Sequence, residues 1–339
     1  LLMRWFLILS VLLSLALPGI GQAQDDDDRS RIVRFLESQL SDGARTVSIR
    51  GFRGALSSTA EMDLLTIADD RGIWLTLENA QLTWSRSALL RGALQIDSLS
   101  AERLDVVRLP DSPDTGVDLP PAEAQPFSLP DLPVSIAIDE VAVGQVTLGE
   151  DILGIPVALS IAGSAQLSGG DGAASLSLER LDGPRGVFDL DASYGNTTRN
   201  LDLALLVEED PGGIAATVLG LPGGPSVRLS VTGAGPIDDF TADIALQSDG
   251  EPRLAGRVVT DLAQDTGDRR ISADLSGDIT PLLLPEYHGF FGPDVQLRTE
   301  VQLLADGGVE LDHLLVSAAS LRLEGNLLLA PGGVPRDFD

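Results

Sequence analysis

The sequence of 339 residues contains no cysteine, no lysine and only two histidines, His288 and His313. Without cysteine there can be no disulfide bond and no cysteine-ligated metal. Without lysine there can be no P-loop and no Schiff base, and the two separated histidines do not form an HExxH zinc motif. No serine lies in a G-x-S-x-G motif. These absences predict a protein that is not an enzyme and that uses neither metal nor cofactor.

Aromatic residues are also scarce, at 4% of a chain whose apolar fraction is 43%. Burial must therefore come from aliphatic side chains, which form smoother surfaces than aromatic rings do. The 51 acidic residues outnumber the 23 arginines, and the formal net charge is -28. Such a charge argues against nucleic acid as a partner and against broad adhesion to anionic lipid. Its ordinary use is to keep an edge-rich sheet soluble.

The first 24 residues resemble an export signal. Arg4 precedes a short apolar run, and Gly21-Gln22-Ala23 provides small residues for cleavage. A retained signal anchor is the alternative, and both readings send the rest of the chain across a membrane. The predicted anchor residues are Trp5, Phe6, Leu7, Ile8, Leu9, Val11, Leu12 and Leu13.

A short amphipathic helix is predicted after this segment. Ser30 can cap it, and one apolar stripe contains Ile32, Val33, Leu36 and Leu40. Such a helix commonly packs against a neighbouring sheet. Alternatively, it covers the end of the sheet, where an unpaired strand edge would otherwise be exposed.

Residues 110–133 contain seven prolines. Because proline lacks the amide donor that a sheet needs, this segment is predicted to be a linker or a surface loop. It separates a β module at 25–109 from a repetitive β body at 134–339.

The body is defined by apolar residues at every second position, which give each strand one apolar face. Strand centres recur every ~11 to 15 residues, the spacing of an antiparallel meander. A single sheet cannot leave such a face in water, so a second sheet, folding of the sheet on itself or a hydrophobic ligand must cover it. The predicted groove-lining residues are Val134, Ile136, Ile138, Leu159, Ile161, Leu190, Leu203, Leu205, Leu229, Ile244, Leu275, Leu297, Val301 and Leu323.

Several motifs follow one another in a recognisable order. Val47-Ser48-Ile49-Arg50-Gly51 is followed by Leu64-Leu65-Thr66-Ile67-Ala68-Asp69, Ile73-Trp74-Leu75-Thr76-Leu77 and Ala88-Leu89-Leu90-Arg91-Gly92-Ala93-Leu94-Gln95-Ile96. Further along, Val134–Asp139 and Val141–Gly149 look like two paired strands, and Asp278–Gly292 reads as a non-strand insertion, either a capping loop or a lid. This order resembles the N-terminal portion of the TamB family (translocation and assembly module subunits) within the AsmA-like superfamily.

The resemblance implies an all-β fold in which an antiparallel-rich sheet of about 20 strands forms an elongated, U-shaped trough, the β-taco, with an apolar groove. It also implies a bacterial cell-envelope protein, anchored in the inner membrane or exported, with its body in the periplasm. Family members are usually far longer, so the chain is expected to lack their C-terminal part.

Three functions remain open on this basis. The first is transport of phospholipid between the inner and outer membranes, with acyl chains in the groove. The second is assembly of outer-membrane proteins and protein secretion with a TamA-type outer-membrane barrel. The third is a structural β protein whose apolar face is simply its core.

Overall fold

The structure is a computed structural model, and it describes residues 33, 37, 41, 45–54, 57–89, 91–110, 127–132, 134–263, 266–305, 307–330 and 335–338. The prediction of a mostly β chain is confirmed, because strands dominate and the helices are short. The predicted signal or anchor at 1–24 lies outside the described residues. The chain forms two compact units, unit 1 from residues 1–111 and 132–169 and unit 2 from residues 112–131 and 170–339.

From residue 45 onward, the described part of unit 1 forms a sheet of six strands in chain order, with one short helix in the β3–β4 connection and another after β5. The strands are β1 Thr46–Arg50, β2 Thr59–Asp69, β3 Gly72–Trp84, β4 Ala93–Val106, β5 Ser135–Leu148 and β6 Val157–Ser168. The helices are α1 Arg86–Leu89 and α2 Glu150–Leu153.

The described residues of unit 2 form eleven strands, and each pairs antiparallel with the next. The strands are β7 Asp171–Arg180, β8 Gly186–Gly195, β9 Asn200–Glu209, β10 Val227–Pro236, β11 Asp239–Ser248, β12 Glu251–Leu262, β13 Arg269–Gly277, β14 Val295–Leu303, β15 Val309–Ser317, β16 Arg322–Leu329 and β17 Pro335–Phe338. The helical segments are α3 Ile214–Val218, a 3-10 turn at Thr280–Leu282 and α4 Pro285–Phe291. The last two confirm the predicted non-strand insertion at 278–292.

The Pro-rich segment is part of a crossover connection. Strands β4 and β5 pair in parallel, from Ala93 opposite Ser135 to Val106 opposite Leu148. Parallel neighbours need a connection of a dozen or more residues, and residues 107–134 provide it. The division into units therefore differs from the predicted boundary at 133, because β5 and β6 belong with β1 to β4 in unit 1.

The stretches 134–139 and 141–149 form one long strand rather than two paired strands. The spacing of apolar residues in β5 lengthens from two to three after Ile138 and again after Val143. At both places the register to β6 shifts by one residue. These irregularities keep the apolar residues on one face where simple alternation would have moved them to the other.

The outer edge of β1 is satisfied by side chains. The N–H of Val47 donates to Ser41 Oγ at 2.9 Å, and the N–H of Ile49 donates to Glu37 Oε1 at 2.7 Å. Val33 and Glu37 are helical, as predicted, and the other residues of the predicted helix are not described. This arrangement agrees with the interpretation that the helix covers a strand edge.

We expect Glu37→Ala to speed hydrogen exchange of the Ile49 amide at least tenfold, because a hydrogen bond to a charged acceptor contributes ~1.5–3 kcal/mol. Glu37→Gln keeps an oxygen acceptor and should retain most of the protection. Exchange followed by mass spectrometry on peptides covering β1 measures both. Unchanged exchange in Glu37→Ala would show that the edge is protected by something else.

Candidate functional site: an aliphatic face

A single row of residues crosses ten strands of unit 2, with an aliphatic side chain on nine of them and a glycine on the tenth. Residues directly opposite in an antiparallel pair lie on the same face of the sheet. Following the register from β7 to β16 gives the central row of Leu176, Leu190, Leu205, Val231, Ile244, Gly256, Leu275, Leu297, Val316 and Leu323. Six of the predicted groove residues are members of this row, so the structure brings them together.

The remaining predicted residues of unit 2 lie on the same face, in neighbouring rows. Leu203 is opposite Ala192, and Leu229 is opposite both Val207 and Leu246. Val301 is opposite Ile271 of β13. The sequence did not determine which side chains would share a face. The strand register shows that the predicted residues of unit 2 do.

The other face of unit 2 is polar. The row behind the central row includes Asp243, Arg257, Asp274 and Arg298 on four successive strands. Arg257 Nε lies 2.8 Å from Asp243 Oδ1, and Arg298 Nε lies 3.2 Å from Asp274 Oδ2. All four side chains are more than half exposed, so these pairs contribute little stability and mainly mark the water-facing side.

Unit 1 repeats the arrangement. Ile136 is opposite Leu94 and Leu167, and Ile138 is opposite Ile96 and Ala165. The predicted residues Leu159 and Ile161 are opposite Val146 and Val143, respectively, and Val134 precedes β5 and is half-buried. Apolar residues thus pair with apolar residues across this sheet as well.

The long aliphatic side chains of these rows are not sealed from water. In the described part of the chain thirteen apolar residues are buried, and none of them is a leucine. The largest fully buried side chains are Val157 and Ser248. Leu323 is 48% exposed, and the other predicted groove residues are half-buried. Because leucine is normally among the most buried residues, this partial exposure leaves the aliphatic face accessible to solvent in the part of the chain that the structure describes.

Two glycines allow a close backbone approach between β12 and β13, which we call the crease. A Cβ at Gly256 would lie 1.9 Å from the carbonyl oxygen of Asp274, and one at Gly277 would lie 2.1 Å from that of Arg253. Their φ angles are +158° and +159°. Glycine inside a strand commonly lies where another backbone segment comes this close.

Features that the sequence analysis missed also lie on the aliphatic face. Phe188 and Tyr194 pair with Val207 and Leu201 and so belong to this face. Thr299, opposite Ala273, has a buried hydroxyl without a hydrogen-bond partner among the described residues. In the sequence, an aromatic residue or a threonine in an alternating strand occupies the same kind of position as an aliphatic residue. Only the strand register shows which of them lie on the aliphatic face.

Part of the Pro-rich segment is bound by hydrogen bonds near the β8–β9 turn. The Tyr194 hydroxyl donates to the carbonyl oxygen of Phe127 at 3.0 Å, and the two rings meet edge to face with centroids 5.0 Å apart. The amide of Asn196 binds both the N–H and the carbonyl of Leu129, at 2.8 and 2.7 Å. Residues 127–131 therefore belong to the surface of unit 2 instead of forming a free linker.

An ion cluster joins adjacent turns at the same end of the strands. Arg199 Nη2 donates to Asp238 Oδ1 at 2.7 Å, and Arg269 Nη2 lies 3.6 Å from the same oxygen. The hydrogen bonds from Arg199 lower the pKa of Asp238 below its ordinary value, burial opposes this shift, and the charges of Arg199 and Arg269 add to it. Since Asp238 is 20% exposed, the cluster is only partly screened by solvent.

A depressed carboxylate pKa stabilises the fold above the unfolded-state pKa of ~3.9, and this contribution is lost as the pH falls through the folded-state pKa. We expect the melting temperature of the protein to fall between about pH 5 and pH 2, with Asp238→Asn and Arg199→Gln each reducing that fall. Calorimetry at several pH values measures it. An Asp238→Asn protein with the full pH dependence of the parent would contradict this role of the cluster.

Comparison with protein-family models, curated proteins and solved structures finds no match. The resemblance to the TamB family therefore stays a prediction from the sequence motifs. Among the described residues no helix is long and apolar enough to span a membrane. Within the same residues no group of three or more histidine, aspartate or glutamate side chains could hold a metal ion.

Proposed function

We propose that the aliphatic face binds the acyl chains of phospholipids, and that the chain is a TamB-type periplasmic bridge that carries phospholipid between the inner and outer membranes. The observation that carries this proposal is the central row, which continues over ten strands while its aliphatic side chains stay partly open to solvent. Such partial exposure is not typical of a closed core, in which leucine is among the most buried residues.

The energetics of such a row suit transport. Each shielded methylene group contributes about 0.8 kcal/mol, and leucine, isoleucine and valine offer similar aliphatic surface on nine of the ten strands, with Gly256 on the tenth. Ten strands at ~4.8 Å make a row of roughly 43 Å. This exceeds the ~30 Å hydrocarbon core of a bilayer, which two opposed acyl layers fill. One lipid would therefore occupy only part of the row and could slide along it.

The groove itself is proposed to be the U-shaped β-taco that the resemblance implies. The close backbone approach at Gly256 and Gly277 supports it, because glycines inside strands are often found where a sheet bends tightly. The register shifts in β11, β14 and β15 support it too, since bulges bend and twist a strand. The polar ladder of Asp243, Arg257, Asp274 and Arg298 would then face the periplasm.

The proposed location is the bacterial cell envelope, with the body in the periplasm and residues 1–24 directing export or anchoring in the inner membrane. The proposed partners are phospholipid acyl chains, the inner membrane and a TamA-type outer-membrane barrel. We infer no catalytic role, cofactor or nucleic-acid partner.

Assembly of outer-membrane proteins is the competing function, and it would use an unpaired strand edge. At the β1 edge the N–H groups of Val47 and Ile49 already have acceptors in Ser41 and Glu37, which disfavours that edge as a docking strand. Client protein bound to a lipid-free aliphatic face would favour assembly. Retention of phospholipid by the parent but not by Ile244→Asp tests the transport proposal.

A further inference from the structure

The exposed apolar residues of unit 2 are concentrated at one end of its strands. Because the strands alternate in direction, the connections β7–β8, β9–β10, β11–β12, β13–β14 and β15–β16 all lie at the same end. Six exposed large apolar residues, which we call the apolar rim, lie in these connections: Leu181, Val218, Leu219, Leu284, Tyr287 and Phe290.

The opposite end of the strands differs. Its connections are short turns such as Asn196–Arg199 and Ile237–Asp238, and their described residues include no exposed large apolar side chain. Phe127, which is fastened beside Tyr194, is the exposed apolar residue that packs at that end. The asymmetry means that the apolar rim is not simply the usual scatter of surface leucines.

The α4 helix points its apolar stripe away from the protein. Leu284, Tyr287 and Phe290 are spaced three apart and are 48%, 49% and 41% exposed. The helix is held instead through its backbone, because the N–H groups of Ala319 and Ser320 donate to the carbonyls of Phe291 and Phe290 at 2.8 and 2.9 Å. A helix fixed this way keeps its apolar stripe free for another surface.

The α3 segment is built in the same manner. Glu209 accepts hydrogen bonds from the N–H groups of Ile214 and Ala215 at 3.0 and 2.7 Å, and Ala216 is 2% exposed. Inward packing therefore uses the small residue Ala216, whereas Leu219, at 70% exposure, projects into solvent. Two independent connections thus present large apolar residues in the same direction along the strands.

The length of the apolar rim and the charge of its connections indicate which partner it binds. From the β7–β8 connection to the β13–β14 connection the rim spans six strand spacings, roughly 29 Å. The connections carry six acidic residues against Arg185 as their one arginine, which disfavours anionic lipid. Tyrosine, phenylalanine and leucine are side chains that enter the interface of a bilayer.

We propose that the apolar rim docks unit 2 on the surface of an electrically neutral phospholipid bilayer. Docking would let the protein load or release lipid at the bilayer, and this role rests on the proposed function. The docking itself depends only on the rim residues and would hold even if the aliphatic face carried no lipid.

The absence of cysteine allows a site-specific test in the full chain. Single-cysteine variants Leu219→Cys and Phe290→Cys carry an environment-sensitive fluorophore, and Thr198→Cys at the opposite end is the matched control. We expect phosphatidylcholine vesicles to raise emission at the two rim sites at least twofold and to leave the control unchanged. Because the readout is local, insertion of residues 1–24 does not imitate it.

The double substitution Leu219→Ser with Phe290→Ser, read out through a label at Leu284→Cys, should weaken that response at least tenfold. It should leave the phospholipid extracted from the purified protein unchanged, which separates failure of the rim from failure of lipid carriage. The proposal would be overturned if the rim labels did not respond to vesicles, if Thr198→Cys responded equally, or if phosphatidylglycerol vesicles bound more strongly. It would also be overturned if the emission depended on protein concentration without vesicles, because that would indicate binding of a second copy of the chain.

Discussion

Ile244→Asp is expected to lower the amount of fluorescent phospholipid retained by the protein at least tenfold. Ile244 lies in the central row, between Val231 of β10 and Gly256 of β12. A carboxylate there would have to lose its hydration for an acyl chain to pass, and burial of an unpaired polar group costs several kcal/mol. Each 1.4 kcal/mol corresponds to a tenfold change in binding.

Ala245→Asp is the matched control, because it places the same carboxylate on the opposite face of the same strand. Ala245 lies opposite Ser230 and Ala255 on the polar side of the sheet. This variant should retain lipid within about twofold of the parent, since its carboxylate stays in water. Equal losses in both variants, with both folded by circular dichroism, would mean that retention does not depend on the aliphatic face.

Gly256→Ala is expected to destabilise the protein by at least ~3 kcal/mol or to the point of preventing folding. The new methyl group would meet the Asp274 carbonyl at 1.9 Å and the Leu275 Cα at 2.8 Å, and backbone atoms cannot move aside as a flexible side chain can. The crease between β12 and β13 would have to open.

Gly250→Ala provides the comparison, because Gly250 also has a positive φ, +77°, but nothing lies within 4 Å of its Cβ position. It forms a two-residue turn with Asp249, and we expect a cost of only ~1–2 kcal/mol from the left-handed backbone. Urea unfolding followed by circular dichroism ranks the two variants. A Gly256→Ala protein as stable as Gly250→Ala would show that the crease is not required.

The sequence was informative where alternation is regular. Leu201, Leu203, Leu205 and Val207 repeat at every second position, and β9 lies there as one strand. It was misleading in β5, because a spacing of three between Ile138 and Val141 suggests a break between two strands. The structure keeps one strand and absorbs the extra residue as a register shift. The pairing across strands, which the chain pattern does not contain, decides between these alternatives.

The sequence predicted individual residues of the candidate site, but it did not predict that they form one surface. Period-two alternation identified Leu190, Leu205 and Ile244 separately, but their membership in one row depends on the register of three successive strand pairings. The glycines at the close approach of β12 and β13 were harder to find. Gly256 looks like an ordinary turn glycine in sequence, and only the approach of the Asp274 carbonyl shows why no side chain fits.

The short helices escaped prediction for a related reason. The residues of α3, Ile214–Val218, follow two glycines in what reads as a turn cluster, and the helix begins because the Glu209 carboxylate accepts from its first N–H groups. That acceptor is five residues earlier, at the end of β9. A tertiary contact of this kind leaves no periodic signal in a segment of five residues.

Lipid mass spectrometry on the full chain, purified without detergent and extracted with organic solvent, tests the central claim most directly. We predict at least one diacyl phospholipid per protein molecule, bound to an aliphatic face that stays accessible. Protein that is free of phospholipid and whose Leu205→Cys and Leu275→Cys variants do not react with thiol reagents would instead show that the rows form a sealed core.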